Sequence, residues 1–311
     1  NQAENFVDSG DLAQLYSGWI ELGFMQSSAR TARRAAETLL RQGRVRENPN
    51  LICAGYLGLS MTANLEEQGE EGLRYLEQVL PFLENGGDLK DWLSYHYNRG
   101  SGLIMMGRVE EAEQELESAL GLAANAGDSP AIVELRANCG YLLSGAVLFT
   151  GWPEKALRIA EKALLESRSV FSHASSARAI AMLGMANYYL GHYAAADGQN
   201  RMALGMAQPM QNLRLIAQVS ANMAQLAVEL EKIEPGAGER VFQFLGANAR
   251  KYELGMEFVT RNYDHITDLF NPIAGLKLLQ TNAQENLYEQ VGRYFSSDKL
   301  RKAFSFHSMF L

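Results

Sequence analysis

Residues 151–164, GWPEKALRIAEKAL, decide how this chain folds. A glycine leaves a turn, and Pro153 opens a helix where the missing amide costs nothing. Ala156, Ala160 and Ala163 then follow the glycine at offsets of five, nine and twelve. The same offsets recur around two other glycines: Gly107 precedes Ala112, Leu116 and Ala119, and Gly191 precedes Ala196, Asn200 and Ala203. Seven residues before each glycine stands a small residue, respectively Gly100, Ser144 and Gly184, inside an apolar pattern of helical period. A fourth copy is read at Gly72, Leu76 and Val79, with a preceding turn expected to be one residue shorter; the copies step by 40, 44 and 40 residues.

The spacing has a physical meaning. Two antiparallel helices joined by a tight turn need small residues where their backbones cross and a glycine where the chain leaves the first helix. Residues 100 and 112, or 184 and 196, supply such crossings, while Leu103, Val109 and Leu116 fill the seam. One pair cannot bury its apolar face alone, so the copies must stack. Composition agrees: 47% of residues are hydrophobic and only 7 prolines interrupt the helix formers, an all-α balance.

Charge and cysteines narrow the function classes. With 28 basic against 36 acidic residues, the net charge of −8 repels a phosphate backbone, so no direct nucleic-acid binding is expected. The run Arg30, Arg33, Arg34, Arg41, Arg44 and Arg46 is an exception, read as a solvated or partner-facing helix face. Cys53 and Cys139 sit in apolar helical patterns with no metal-ligand spacing, as buried thiols of a reducing compartment would. No apolar run of about 18 residues and no signal core are read, so the expectation is a cytoplasmic protein without membrane contact. The first residue is Asn1, which is compatible with a piece of a larger polypeptide carrying an effector domain.

These repeats resemble the tetratricopeptide (TPR) family, whose 34-residue unit carries small, aromatic and alanine positions at similar offsets. The resemblance covers most of residues 49–207. It departs from the family in its longer step and in Leu116, Ala160 and Asn200 at places where aromatics are expected. The implied fold is all-α: a right-handed α-solenoid of TPR-like antiparallel helix pairs with a non-repeat helical C-terminal segment. Residues 1–48 are expected to form an N-terminal capping pair lacking motif residues, and 49–210 four TPR-like pairs. Residues 211–256 would form a further pair closing the solenoid, and 257–311 a helical segment with helices near 272–292 and 297–305. Asp88 with Asp91, Ser129 before Pro130, Trp152 before Pro153 and Asn271 before Pro272 mark helix starts. Gly86, Gly87 and Gly127 mark ends, and Pro235, Gly236 and Gly238 a break. The apolar end at Phe304, Phe306, Met309, Phe310 and Leu311 suits a cap or a contact with a further segment. A second likeness is finer. Residues 239–255, ERVFQFLGANARKYELG, and the Gly-Trp-Pro-Glu-Lys-Ala-Leu turn are similar to the helical tails of bacterial signalling ATPases, LuxR-type regulators and multidomain adenylyl cyclases. In those proteins such repeats are the sensor or scaffold arm.

Catalytic constellations are missing from the sequence. It holds no glycine-rich phosphate loop, no His-Glu-x-x-His, no Cys-x-x-Cys and no Gly-x-Ser-x-Gly. The histidines at 96, 173, 192, 265 and 307 are scattered, with His192 placed to cap or solvate its turn. Glu110, Glu111, Glu113, Glu115 and Glu117 fall around a helix, and Tyr263, Asp264 and His265 read as a helix-end cluster. The expectation is a non-catalytic module needing no cofactor and no metal. The resemblance places a groove on the first helix of each pair. It selects Ser94, Tyr97, Ser101 and Met105, then Asn138, Tyr141 and Phe149, then Arg178, Met185, Tyr188 and Tyr189, with Arg214 continuing the row. The lysines and asparagine of a carboxylate-clamp TPR are replaced by Tyr97, Ser101, Tyr141 and Gly145, so a clamp for chaperone tails is not expected. A protein segment or small effector in this groove would make the chain a regulatory or sensor arm of a bacterial signalling or transcription-regulating protein. A purely structural scaffold is the alternative.

Overall fold

Each marker glycine ends a helix in the same way. At Gly107, Gly151 and Gly191 the backbone is left-handed (φ +73, +92 and +77), a conformation glycine reaches without a Cβ clash. The amide that follows reaches back five residues, as Arg108 N–H donates to the Leu103 carbonyl at 2.9 Å and Trp152 N–H to that of Val147 at 3.1 Å. This double-bonded ending satisfies carbonyls that a helix terminus would leave orphaned.

The computed structural model describes residues 8–124, 127–241, 243–244, 247 and 286–307, and among these there is no strand. The helices are α1 (Ser9–Met25), α2 (Ala29–Val45), α3 (Pro49–Leu65), α4 (Gly69–Glu77), α5 (Leu80–Glu84), α6 (Leu89–Met105) and α7 (Val109–Ala123). They continue as α8 (Pro130–Phe149), α9 (Pro153–Ser169), α10 (His173–Tyr189), α11 (Tyr193–Ala207) and α12 (Leu213–Ile233), with α13 (Leu287–Gly292) and α14 (Asp298–His307) near the end. Two compact units result: residues 1–191 with 196–222, and residues 192–195 with 223–311.

In the first unit, consecutive helices pack as antiparallel neighbours along a continuous core. Ala112, Leu116, Ala119, Ala156, Ala160, Ala196 and Ala203 are all completely buried, so the offsets read from the sequence are the seam. The small residues sit where they must. A Cβ on Gly184 would lie 2.6 Å from Asn200 Oδ1, and one on Gly100 2.7 Å from Leu116 Cγ. At the third crossing Ser144 Oγ donates to the Ala156 carbonyl at 2.8 Å, so its hydroxyl is satisfied within the seam. Asp88 caps α6 by accepting from Asp91 N–H, and Pro130 and Pro153 occupy first turns. Helix α5 ends at Glu84, before Gly86 and Gly87.

Two expectations need correction. The turn before Gly72 is not shorter: Glu67, left-handed at φ +61, holds the glycine's place five residues ahead of Gly72. Gln68 N–H closes that turn on the Ala63 carbonyl at 2.8 Å. The same geometry reaches further upstream. Ser27 (φ +54) precedes Ala32, Ala36 and Leu39 at the same five, nine and twelve, all three buried. The α1–α2 pair thus carries the motif without a glycine. The second correction concerns apolar length. Helix α8, with 20 residues and mean hydropathy 1.3, is long and apolar enough to cross a membrane by length and composition. Its Val133, Ala137, Cys139, Leu143 and Val147 are buried in the core of this unit.

The second unit is held by an aromatic cluster. Phe295 stacks on Phe304 with centroids 5.0 Å apart, and Phe244 meets both edge-on. Glu234 accepts from the amides of Ser296 and Ser297, which fixes the turn before α14. The break expected at Pro235, Gly236 and Gly238 follows the end of α12. Residues 239–241, 243–244 and 247 are helical; the rest of the Leu-Gly-Ala stretch, Asn271, Pro272, the Tyr263 cluster and residues 308–311 lie outside the described residues.

Candidate functional site

The first helices of three successive pairs, α6, α8 and α10, contribute side chains to one cleft. There, a small open cavity of about 50 Å³ is lined by Phe24 of α1, Tyr97 and Ser101 of α6, and Tyr141 and Leu142 of α8. Arg178 of α10 and Asn212, Arg214, Leu215 and Gln218 at the start of α12 complete it. Apolar walls with a few convergent polar groups are the usual makeup of a binding pocket.

Arg178 is the unusual member. It is only 8% exposed, and one face of its guanidinium is tied down: Nη2 donates to Asn138 Oδ1 at 3.0 Å and to Ser175 Oγ at 3.2 Å. Ser175 in turn donates to Asn138 Oδ1 at 2.9 Å and lies 3.3 Å from Glu134 Oε1, so that carboxylate stands one hydrogen bond beyond the arginine. Arg214 spreads its guanidinium over the Phe24 ring, 4.9 Å from the centroid, which joins α12 to α1 across the cavity by a cation–π contact. Burial raises the Tyr97 phenol above its ordinary pKa, while the positive charges of Arg178 and Arg214 act in the opposite direction. At the mouth of α12, Asn212 Oδ1 accepts from Leu215 N–H at 3.1 Å and caps the helix.

The cavity therefore brings together Tyr97, Ser101, Tyr141, Arg178 and Arg214 of the expected row, and Asn138 joins through Arg178. Met105, Phe149, Met185, Tyr188 and Tyr189 do not line it. Met185 packs against the core, Phe149 and Tyr189 are about half exposed or more, and Tyr188 meets Tyr189 edge-on at 5.3 Å. The sequence reading missed Phe24, Leu142, Asn212, Leu215 and Gln218. Helical spacing held a signal for two of them: Leu142 is four residues after Asn138, and Gln218 four after Arg214. Phe24 carries no such signal, because only folding brings it near α12.

Other candidate groups are absorbed elsewhere. The acidic run of α7 disperses: Glu111 pairs with Arg108, Glu113 and Glu117 with Lys155, and Glu115 with His96 and Arg99. Within the basic run, Arg33 pairs with Glu66 and Arg44 donates to the Tyr56 hydroxyl. Both cysteines are buried, with thiols pushed up to about 12, so they are poor nucleophiles.

A solved Rap protein complexed with Competence and Sporulation Factor superposes on the chain with a TM-score of 0.54, covering 97% of this chain and 96% of its own at 12% identity. Its fold is that of a TPR-like solenoid. A STAND protein with a tetratricopeptide repeat sensor from Pyrococcus horikoshii gives a TM-score of 0.47 at 19% identity, over 94% of this chain and 46% of that one. No family model matches the sequence. Among curated proteins, the zeta-carotene-forming phytoene desaturase of Myxococcus xanthus is 30% identical over 93 residues, which is 30% of this TPR-like chain and 18% of the desaturase. A 4,4'-diapophytoene desaturase of Staphylococcus haemolyticus is 29% identical over 94 residues, covering 30% and 19% respectively. The chain spans less than a fifth of the length of these curated relatives.

Proposed function

We propose that this TPR-like chain is a non-catalytic binding module whose cavity on α6, α8, α10 and α12 receives a protein segment or small effector. It would pass that state to an effector domain or partner, as the regulatory arm of a cytoplasmic bacterial signalling or transcription-regulating protein. The observation that carries this reading is the convergence of Tyr97, Tyr141, Arg178 and Arg214, from four separate helices, on one open cavity. The Rap protein of similar fold was solved with a bound factor, which supports a binding role for such a stack. The desaturase likeness touches 30% of the chain.

The test is thermal. A ligand that binds only the folded state at a hundred times its Kd stabilises by about 2.7 kcal/mol, so a panel of metabolites and short peptides should contain members that raise the Tm of the chain. Tyr141→Ala should remove that shift while leaving helical circular dichroism intact. If Tyr141→Ala and Tyr97→Ala alter no interaction, whether with a panel member or with a captured protein, the cavity reading is wrong. The scaffold reading has its own observation: Leu15, Trp19 and Leu22 form an exposed stripe along α1. A partner released by Trp19→Glu and not by Tyr141→Ala would favour it.

A further inference from the structure

Two charged side chains are buried among the described residues, Arg178 and Asp197. Asp197 has its counter-charge, since Arg201 Nε donates to its Oδ2 at 2.8 Å. Arg33, Arg99, Arg108, Arg136, Arg201 and Arg240 all lie against a carboxylate, but among the described residues no carboxylate lies within ion-pair distance of Arg178 or Arg214. The Arg178 Nε is buried without a hydrogen-bond partner. A buried charge without a direct counter-ion is unfavourable, and here the nearest carboxylate named, Glu134, reaches Arg178 only through the Ser175 hydroxyl.

The surroundings add to the positive field. Arg214 and Leu215 in the first turn of α12, a 21-residue helix, and Asn212 just before it line the cavity, and a helix N-terminus presents positive partial charge. The lining contains donors in the Tyr97 and Tyr141 hydroxyls, two guanidiniums and the Gln218 amide, and no Asp or Glu. Phe24, Leu142 and Leu215 provide apolar wall.

Resting on the binding-module reading, we infer that the ligand carries a carboxylate, seated between Arg178 and Arg214 at the start of α12, with an apolar body against Phe24, Tyr97, Tyr141 and Leu215. The bound carboxylate would then stand as a counter-charge within ion-pair distance of Arg178. Both a small organic acid and an acidic peptide side chain supply that group.

Isothermal titration of the full chain with matched pairs tests the assignment. The small-acid arm compares benzoate with benzamide; the peptide arm compares acetyl-Leu-Glu-Leu-amide with acetyl-Leu-Gln-Leu-amide. One acid is expected to bind more tightly than its neutral partner, and whichever arm responds identifies the source. Arg178→Met should weaken the acid about thirtyfold or more and abolish the preference, and Arg178→Lys should restore part of it. The free protein bearing Arg178→Met should melt no lower than the parent, because the removed charge had no carboxylate within ion-pair distance among the described residues and, with its two hydrogen bonds gone, Ser175 still donates to Asn138. Equal binding of acid and amide, an acid preference that survives Arg178→Met, or a marked loss of Tm in that variant overturns the proposal. Tighter binding of inorganic phosphate than of either acid also overturns it. A neutral ligand whose binding depends on Tyr141 would sink the carboxylate while leaving the binding module standing.

Discussion

The repeats around α6 to α11 and those around α1 to α4 share one turn geometry and differ in how they reach it. Downstream, glycines 107, 151 and 191 occupy the left-handed position; upstream, Ser27 and Glu67 hold the same place at φ +54 and +61. The closing hydrogen bonds are equivalent, with Ser28 N–H reaching the Gly23 carbonyl at 2.7 Å and Arg108 N–H that of Leu103 at 2.9 Å. The buried positions at offsets five, nine and twelve are also equivalent. The repeat is thus a conformation closed by packing and hydrogen bonds, and glycine only lowers its cost. Non-glycine residues there accept backbone strain of about 1–2 kcal/mol.

If the two regions are the same unit physically, matched core deletions should cost the same. Leu76 and Leu116 occupy the same offset and are both essentially fully buried. Leu76→Ala and Leu116→Ala should each destabilise by about 2–5 kcal/mol in denaturant titrations, through lost burial and a residual cavity. A much smaller loss for Leu76→Ala would mean that the upstream repeat is loosely closed, as its broken second helix, α4 followed by α5, would allow. The turns give the next largest effect. A Cβ on Gly151 meets nothing within 4 Å, so Gly151→Val probes backbone strain alone and should cost about 1–3 kcal/mol. The converse applies at Phe171, left-handed at φ +56 and 84% exposed between α9 and α10. Phe171→Gly should raise stability by about 0.5–1 kcal/mol, once glycine's greater unfolded-state entropy is subtracted from the relieved strain. A fall in Tm for that variant would assign the Phe171 ring a contact beyond this chain's fold.

This contrast also explains what could be read from residues. The seam was legible wherever glycine marked the turn, because glycine and alanine are rare choices forced by close backbone approach. It was invisible at Ser27, since serine, alanine and leucine at those offsets are ordinary helix content. The cavity was half legible. The first-helix rule found Tyr97, Ser101, Tyr141, Arg178 and Arg214, because the inward face of a helix follows from its period. It overreached at Phe149 and Tyr189, which lie at helix C-termini beyond the packed face and stay exposed. It could not find Phe24, whose place depends on a contact with Arg214 that is 190 residues away in sequence. The missing counter-charge at Arg178 is likewise a property of three dimensions, since Glu134 stands within reach of Ser175 and short of the guanidinium.

The smallest effect tests the ends of the comparison against each other. One residue past the first seam position stands Arg33 in the Ser27 repeat and Asp197 in the Gly191 repeat, so the same offset carries opposite charges. Arg33 is partly exposed beside Glu66, a setting in which an ion pair contributes about 0–1 kcal/mol. Asp197 is buried, and burial raises its carboxyl pKa even though Arg201 opposes the shift. A carboxyl raised on folding favours the folded state below its unfolded pKa of about 3.9, and that contribution is lost as pH rises through the folded value. At neutral pH the native state therefore bears the ionised group at a cost. Asp197→Asn should accordingly raise the Tm slightly at pH 7, by no more than about 1 kcal/mol in stability, and the gap between variant and parent should close as pH falls towards 4. Should Asp197→Asn be clearly less stable at pH 7, the Arg201 pair outweighs desolvation. In that case the buried charge that has a direct ion-pair partner stabilises the unit, and the contrast with Arg178, which has no carboxylate within ion-pair distance among the described residues, becomes sharper.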